Sequence, residues 1–328
     1  MMQTNLLITS AGKRVSLVNI FQRELKERCP DAKVYTTDLN PAMAPAGHVS
    51  DHCFSVPRVT AENYLDELLR ICRDNQISLI IPTIDTELLL LAEHKQQLLN
   101  EGITALVPDA PFVAACRDKR NTAELFRSLR IRVPEGRDLN HPQYPIFAKP
   151  YDGSLSKDLH ILRSDADITP AVTENPKLIF MEYIDKTQYK EFTVDMYYGR
   201  DHRVKSIVPR ERVEIRAGEI NKGFTRKNEL VPYLRERMEH LPGVVGCICL
   251  QLFYREEDHD VVGIEINPRF GGGYPLSYYA GANFPGMIVE EYLQGTTPDY
   301  SERWEDNTLM LRYDAEVIIH EQQDGHHL

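Results

Sequence analysis

Four residues late in the chain have types and spacing suited to holding a metal–phosphate group: Gln251, Glu265, Asn267 and Arg269. They stand in the succession GCICLQLFY, REEDHD, VVGIEINPR. The polar middle reads as a hairpin loop whose centre, near Asp258, is equidistant from Gln251 and Glu265. A symmetric hairpin sets those two opposite each other, with Cβ atoms about 5 Å apart. Asn267, two residues beyond Glu265, projects from the same face. Three oxygen-bearing side chains then converge, and hard Mg²⁺ is held by carboxylate oxygen together with substrate phosphate. Val262, Ile264 and Ile266 form the opposite, core-facing side. A glutamate and an asparagine buried in such a strand need partners, because an unpaired buried polar group costs about 1–3 kcal/mol. An exposed strand face with harmless polar residues is the plain alternative. Arg269 adds a cation just past the ligands, placed to neutralise phosphate charge.

A second cation, Lys149, closes the apolar run in IFAKPYDGSLSKDL, and a turn with glycine and serine follows. Backbone N–H groups and hydroxyls in such a turn cover phosphates; an ordinary hairpin turn with a surface lysine is the alternative. The run LIFMEYI and the strand that begins at Glu191 offer backbone groups for a base and a carboxylate for ribose hydroxyls, or else a core strand with a solvated glutamate. In PRERVEIRAGE a strand puts Arg210, Arg212 and Arg216 on one face, so that at least one clamps a substrate carboxylate. A salt-bridged exposed strand explains them equally well. The run Gly271–Gly273 before Tyr274 reads either as a close-approach loop or as a flexible turn.

The elements that must position these groups fall into two kinds. Residues 5–9, KVYTTDLN, ISLIIPT and ITALVP read as strands. They alternate with helical spacing in VSLVNIFQRELKER, from Ala61 to Asp74 and from Thr86 to Asn100. That alternation predicts a Rossmann-like parallel sheet over residues 1–112. The GxGxxG fingerprint is missing. Gly12 is expected to make the first turn, with an anion held by the backbone N–H groups at the helix start as the alternative, and Asp38, at a strand end where a ribose acid would sit, lacks its glycine partners. A helix from Ala114 to Leu129 follows. YPIFAKP, LIFMEYI, EFTVDMYYG, RVKSIVPRERVEI, GCICLQLFY and DVVGIEINP then read as strands, and ELVPYLRERMEHL as a helix. The second part is therefore α+β with antiparallel strands.

Composition narrows the function. The net charge of −11 argues against a nucleic-acid partner, which needs a basic footprint, but not against one bound nucleotide. No apolar run reaches the length of a membrane span, and the N-terminus lacks signal-peptide features, so a cytoplasmic setting is expected. The cysteines Cys29, Cys53, Cys72, Cys116, Cys247 and Cys249 are scattered without zinc spacing and are expected to be reduced packing residues.

Taken in order, these motifs resemble the ATP-grasp superfamily, and within it one ATP-binding half of the carbamoyl-phosphate synthase large chain. The resemblance covers almost the whole chain: a pre-ATP-grasp domain over 1–112, then an ATP-grasp fold over 113–328, with a mobile lid-bearing subdomain (113–185) and a metal-site and substrate subdomain (186–328). It implies ATP and Mg²⁺ (or Mn²⁺) as cofactors. Lys119, Lys149, Ser154 and Ser156 would meet phosphate, Glu182, Tyr183 and Ile184 the adenine, and Glu191 the ribose. Gln251, Glu265 and Asn267 would hold metal, Arg269 and Lys149 would act in catalysis, and Arg210 and Arg212 are left to the substrate. The implied activity is carboxylate–amine ligation through an acyl-phosphate, with a small acid and an amine as partners and a homo-oligomer left open. Two departures stand out. The lid segment DGSLSKDL has one glycine where the family usually has several, with Ser156 where a glycine is common. The chain carries one ATP-grasp unit and no glutaminase segment, which argues against unaided carbamoyl phosphate synthesis. Phosphorylation without ligation and non-catalytic nucleotide sensing stand as alternatives.

Overall fold

A computed structural model describes residues 4–153, 158–216 and 218–320. The first alternating stretch forms a five-stranded parallel sheet of β1 (Asn5–Thr9), β2 (Val34–Asp38), β3 (His52–Ser55), β4 (Ile77–Pro82) and β5 (Thr104–Ala105), in the order β3-β2-β1-β4-β5. β1 and β4 are buried on both faces, as helices covering a parallel sheet require. Leu6 and Ile8 enter one core and Leu7, from the opposite face, another that contains Tyr64, Leu68 and Leu88. β3 has no apolar run to announce it and exists through pairing with β2. Gly12 makes the first turn, with φ at +49°. Asp38 accepts a hydrogen bond from the Asn40 N–H at 3.0 Å and so secures its own turn.

Two helices expected as continuous are broken. Asp85–Glu93 and Lys95–Asn100 meet at His94. Ala110–Arg117 and Lys119–Ser128 meet at Asp118, whose backbone is extended and whose carboxylate accepts from the Arg120 N–H at 2.8 Å. An aspartate that caps a new helix overrides the helical spacing on either side.

A small antiparallel sheet follows, with β6 (Ile146–Pro150), β7 (His160–Leu162) and β8 (Leu178–Glu182) in the order β7-β6-β8. Its core is modest: Ile146, Leu162, Val172 and Leu178. The larger sheet contains β9 (Lys190–Tyr198), β10 (Val204–Arg216), β11 (Glu219–Thr225), β12 (Gly246–Arg255), β13 (Asp260–Asn267) and β14 (Leu309–Leu311), in the order β13-β12-β9-β10-β11-β14. β11, β14 and the helices Tyr274–Tyr279 and Phe284–Leu293 were not among the sequence expectations. One core joins this sheet to Leu6 and Ile8 of the parallel sheet, and Phe21 meets Phe270 edge-on with ring centroids 5.8 Å apart. The parallel sheet is thus held against the antiparallel one by shared packing.

The expected common face of Arg210, Arg212 and Arg216 does not form. Pairing between β10 and β11 is irregular after Arg212 and again after Glu214, and an inserted residue breaks strict alternation. Arg216 turns to the surface and pairs with Asp314. All six cysteines are unpaired, and Cys72, Cys247 and Cys249 are buried. Among the described residues no helix is long and apolar enough to cross a membrane.

Candidate active site

The small sheet, the large sheet and the carboxyl edge of the parallel sheet enclose a cleft of about 620 Å³. Every expected site residue among the described ones lines it: Lys119, Lys149, Glu182, Tyr183, Ile184, Glu191, Arg210, Arg212, Gln251, Glu265, Asn267 and Arg269. Ser154 and Ser156, with Lys157, lie outside the described residues.

The hairpin register pairs Gln251 with Glu265 and Cys249 with Asn267, so the symmetric reading of the loop gave the right partners. Asn267 Nδ2 donates to Glu265 Oε1 at 2.9 Å. Gln251, Glu265 and Asn267 therefore present one carboxylate and two amides at one end of β12 and β13. Arg269 donates from Nη2 to Asp85 Oδ2 at 2.8 Å and from Nη1 to the Phe270 carbonyl at 3.2 Å, while its buried Nε has no partner among the described residues. Burial works against its charge, but the Asp85 carboxylate beside it prevails and holds its pKa above the usual arginine value.

Lys149, near the end of β6, is only 7 % exposed and forms no ion pair among the described residues. Burial pushes its pKa down to about 8, with Glu265 opposing the fall and Lys119 adding to it. Lys119 opens its helix at the break after Asp118; its N–H donates to the Tyr151 carbonyl at 2.9 Å and its Nζ to the Gly153 carbonyl. Two cations thus flank the turn that leads into the lid segment.

At the other end, Glu182 finishes β8 with its carboxylate already occupied. Arg132 Nη2 donates to both its oxygens, at 2.6 and 2.7 Å, and the Glu135 N–H donates at 3.2 Å. What it leaves for a ligand is backbone. Tyr183 and Ile184 follow the strand, and neither N–H makes a backbone hydrogen bond among the described residues. Phe147, Met181, Leu252 and Ile264 supply apolar walls of the kind that suits a flat ring. Glu191 is held by Lys186 at 3.1 Å and by Arg212 at 3.0 Å. Arg212 also donates to the Gly218 carbonyl at 2.8 Å; burial lowers its pKa, Glu191 opposes this, and Arg210 reinforces it.

Arg210 is engaged differently from the substrate clamp expected of it. Its Nε and Nη2 donate to the two oxygens of Asp195 at 2.7 and 2.9 Å, and both residues are buried. Ser277 and Cys249 also donate to Asp195, at 2.6 and 2.9 Å. This buried pair supports the Gly271–Gly273 loop. A Cβ on Gly271 would stand 2.8 Å from Cys249 Sγ, and one on Gly272 would stand 2.6 Å from the Glu219 carboxylate. The run is a close-approach loop, glycine-rich for lack of space.

The charged cleft residues that sequence reasoning missed include Arg14, Asp85 and Glu219. Arg14 follows β1, Asp85 follows β4 and Glu219 opens β11. The rule that open parallel sheets bind ligands at the carboxyl ends of their strands would have drawn attention to the first two.

A cleft between two antiparallel sheets, with an amide–carboxylate face on one and a lysine strand on the other, packed against a parallel sheet, is the architecture of the ATP-grasp proteins. The chain shares that fold. Residues 174–312 match the family model described as ATP-grasp in the biosynthetic pathway with Ter operon, and residues 6–106 match the model described as PylC-like, N-terminal domain. Among solved structures, the biotin carboxylase domain of Hydrogenobacter thermophilus 2-oxoglutarate carboxylase, a dimer holding Mg·ADP and bicarbonate, superimposes with a TM-score of 0.70. It is 14 % identical over 94 % of this chain and 74 % of that one. N5-carboxyaminoimidazole synthetase from Staphylococcus aureus gives 0.68 at 14 % identity, covering 90 % of this chain and 78 % of that one. The L-amino acid ligase from Bacillus licheniformis gives 0.64 at 17 % identity, covering 90 % and 75 %. At these identities the likeness establishes the fold. No curated protein matches the sequence.

Proposed function

We propose that the chain is an ATP-dependent carboxylate–amine ligase, carbamoyl-phosphate synthase-like in its nucleotide site, working through an acyl-phosphate. The observation that carries this reading is the convergence of Gln251, Glu265 and Asn267 with Arg269 and Lys149 on one cleft. The donor set fits Mg²⁺, being all oxygen with a single carboxylate, which leaves coordination for phosphate. The unpartnered Arg269 Nε and the ion-pair-free Lys149 fit an anionic ligand beside it. Mg²⁺ (or Mn²⁺), when bound there, supplies charge neutralisation across the nucleotide phosphates.

In this reading the backbone of Tyr183 and Ile184 meets the adenine edge and Glu191 the ribose hydroxyls. Lys119 and Lys149 hold phosphate oxygens, and Arg269 stabilises charge on the transferring group. A carboxylate oxygen of the acid forms a bond to the γ-phosphorus as the bond to the β-bridging oxygen breaks, and ADP departs. The amine then attacks the acyl carbon, phosphate leaves with the electron pair of the C–O bond, and the amine gives up a proton. Positioning and electrostatics suffice for the first step, with no protein nucleophile. The small acid and amine would be the partners, and the 1–112 and 113–328 segments would act together.

The test is calorimetry of ATP binding with and without Mg²⁺, in the native chain and in Glu265→Ala. Metal-dependent binding that the variant loses supports the site and justifies a search for acid–amine pairs that release ADP. Equal metal-dependent binding in both rejects Glu265 as a ligand. A folded native chain that does not bind ATP overturns the reading.

A further inference from the structure

The strand order of the parallel sheet reverses between β1 and β4, with β2 and β3 to one side and β5 to the other. Carboxyl ends of strands at such a switch point leave a crevice that holds ligands. Arg14 rises from it after β1, and Asp85 after β4; both face the cleft described above. Asp85 is paired with Arg269. Arg14 has no such partner: its one side-chain hydrogen bond among the described residues runs from Nη2 to the Thr83 carbonyl at 3.5 Å. A guanidinium carries five donors, and most of this fork is left for something else. Burial holds the Arg14 pKa below the usual arginine value, as does the neighbouring Arg269, while Glu219 and Asp85 pull the other way.

Glu219 stands on the opposing wall, paired with Arg312 at 2.7 Å. The side chains of Asp85 and Glu219 remain 29 % and 30 % exposed, so each keeps room for a second hydrogen-bond donor. The corner therefore joins a cation without an ion pair among the described residues to two carboxylates that each have one arginine partner and remain partly exposed. A simple monoanion would leave two carboxylates facing it. A simple amine would leave Arg14 uncovered.

We propose that this corner binds an α-amino acid, with its carboxylate on the Arg14 fork and its ammonium group between Asp85 and Glu219. The proposal rests on the ligase reading and names the chemical class of one of its two reactants. It also makes the parallel sheet part of the substrate site.

The probes are the twenty proteinogenic L-amino acids and their α-carboxamides, titrated into the full chain loaded with Mg·ADP and followed by thermal shift and calorimetry. At least one amino acid is expected to bind, and its carboxamide to bind tenfold or more weakly. Arg14→Met should weaken the amino acid tenfold or more while the Kd for Mg·ATP stays within twofold. Should that variant fail to fold, Arg14→Lys gives the same comparison: it keeps the charge, lacks the fork, and is expected to lose tenfold. No binding by any amino acid rejects the class. Equal binding of acid and carboxamide, or full retention in a folded Arg14 variant, rejects Arg14 as the anchor. Failure of the native chain to bind Mg·ATP rejects the ligase reading instead, and titration without nucleotide then decides the corner by the same criteria.

Discussion

Replacing Lys149 by methionine should make the protein more stable while removing nucleotide binding. The folded environment lowers the Lys149 pKa from an ordinary 10.5 to about 8, chiefly by burial, and that net value already includes the attraction of Glu265. Between those two values the unfolded chain binds the proton and the folded chain does not. The charged lysine therefore opposes folding in full below about pH 8, progressively less as pH rises, and not at all above 10.5. At about 1.4 kcal/mol per pKa unit the full cost is roughly 3 kcal/mol. Methionine fills a similar volume without the charge. Urea unfolding without nucleotide and with EDTA should place Lys149→Met roughly 3 kcal/mol above the native chain at pH 6.5, and roughly half that at pH 9.5. ATP affinity should fall at least tenfold at the lower pH. A variant no more stable than the native chain at pH 6.5, or a difference that ignores pH, would refute the reasoning and mean that solvent or a neighbouring group already satisfies the ammonium.

Asp195→Ala should destabilise by about 3–5 kcal/mol, because it leaves Arg210 buried and unpaired; a loss under about 1 kcal/mol in urea unfolding would mean that water reaches the guanidinium. Asp85→Asn removes the charge partner of Arg269, so ADP release should drop about tenfold with ATP affinity little changed. An unchanged rate would show that the Phe270 carbonyl and Asn267 Oδ1, to which Arg269 donates at 3.2 and 3.5 Å, suffice to hold the arginine. Gly272→Ala brings a Cβ against the Glu219 carboxylate and should cost about 1–3 kcal/mol. Gly136→Ala, where a Cβ meets nothing within 4 Å, should cost under about 0.5 kcal/mol, and equal effects at the two sites would overturn the close-approach account of the loop.

The Gln251–Glu265 face was legible in the sequence because a hairpin is a local structure, although the pairs nearest the turn centre half a residue before Asp258 and a bulge at Ile264 is what brings Gln251 opposite Glu265. β1 and β4 were legible because strands buried on both faces are mostly apolar runs, and β2 because its β-branched and aromatic residues favour a strand. The employment of Arg210 was not. Its partner Asp195 lies opposite Val208 on the neighbouring strand, a diagonal relation that exists only once β9 and β10 are in register. Arg14 and Asp85 line the same cleft because β1 and β4 are neighbours, although dozens of residues and two other strands separate them in the chain. No motif encodes that adjacency. β11 and β14 escaped notice because their residues lack a clean alternation; pairing onto β10 creates the first, and pairing onto β11 the second. Asp118 carried a legible capping signal that the strong helical spacing around it concealed.

The ion pair between Arg269 and Asp85 ties a residue just past β13 to one just past β4. The two partners fall in segments that match separate family models. A recombination event that exchanged either segment alone would strand a largely buried arginine or leave a carboxylate without its counter-charge in the cleft. Such a hybrid would begin with a defect that only a compensating change in the other segment could repair. The pair therefore acts as a hereditary bond as well as a physical one, favouring transmission of the two segments together.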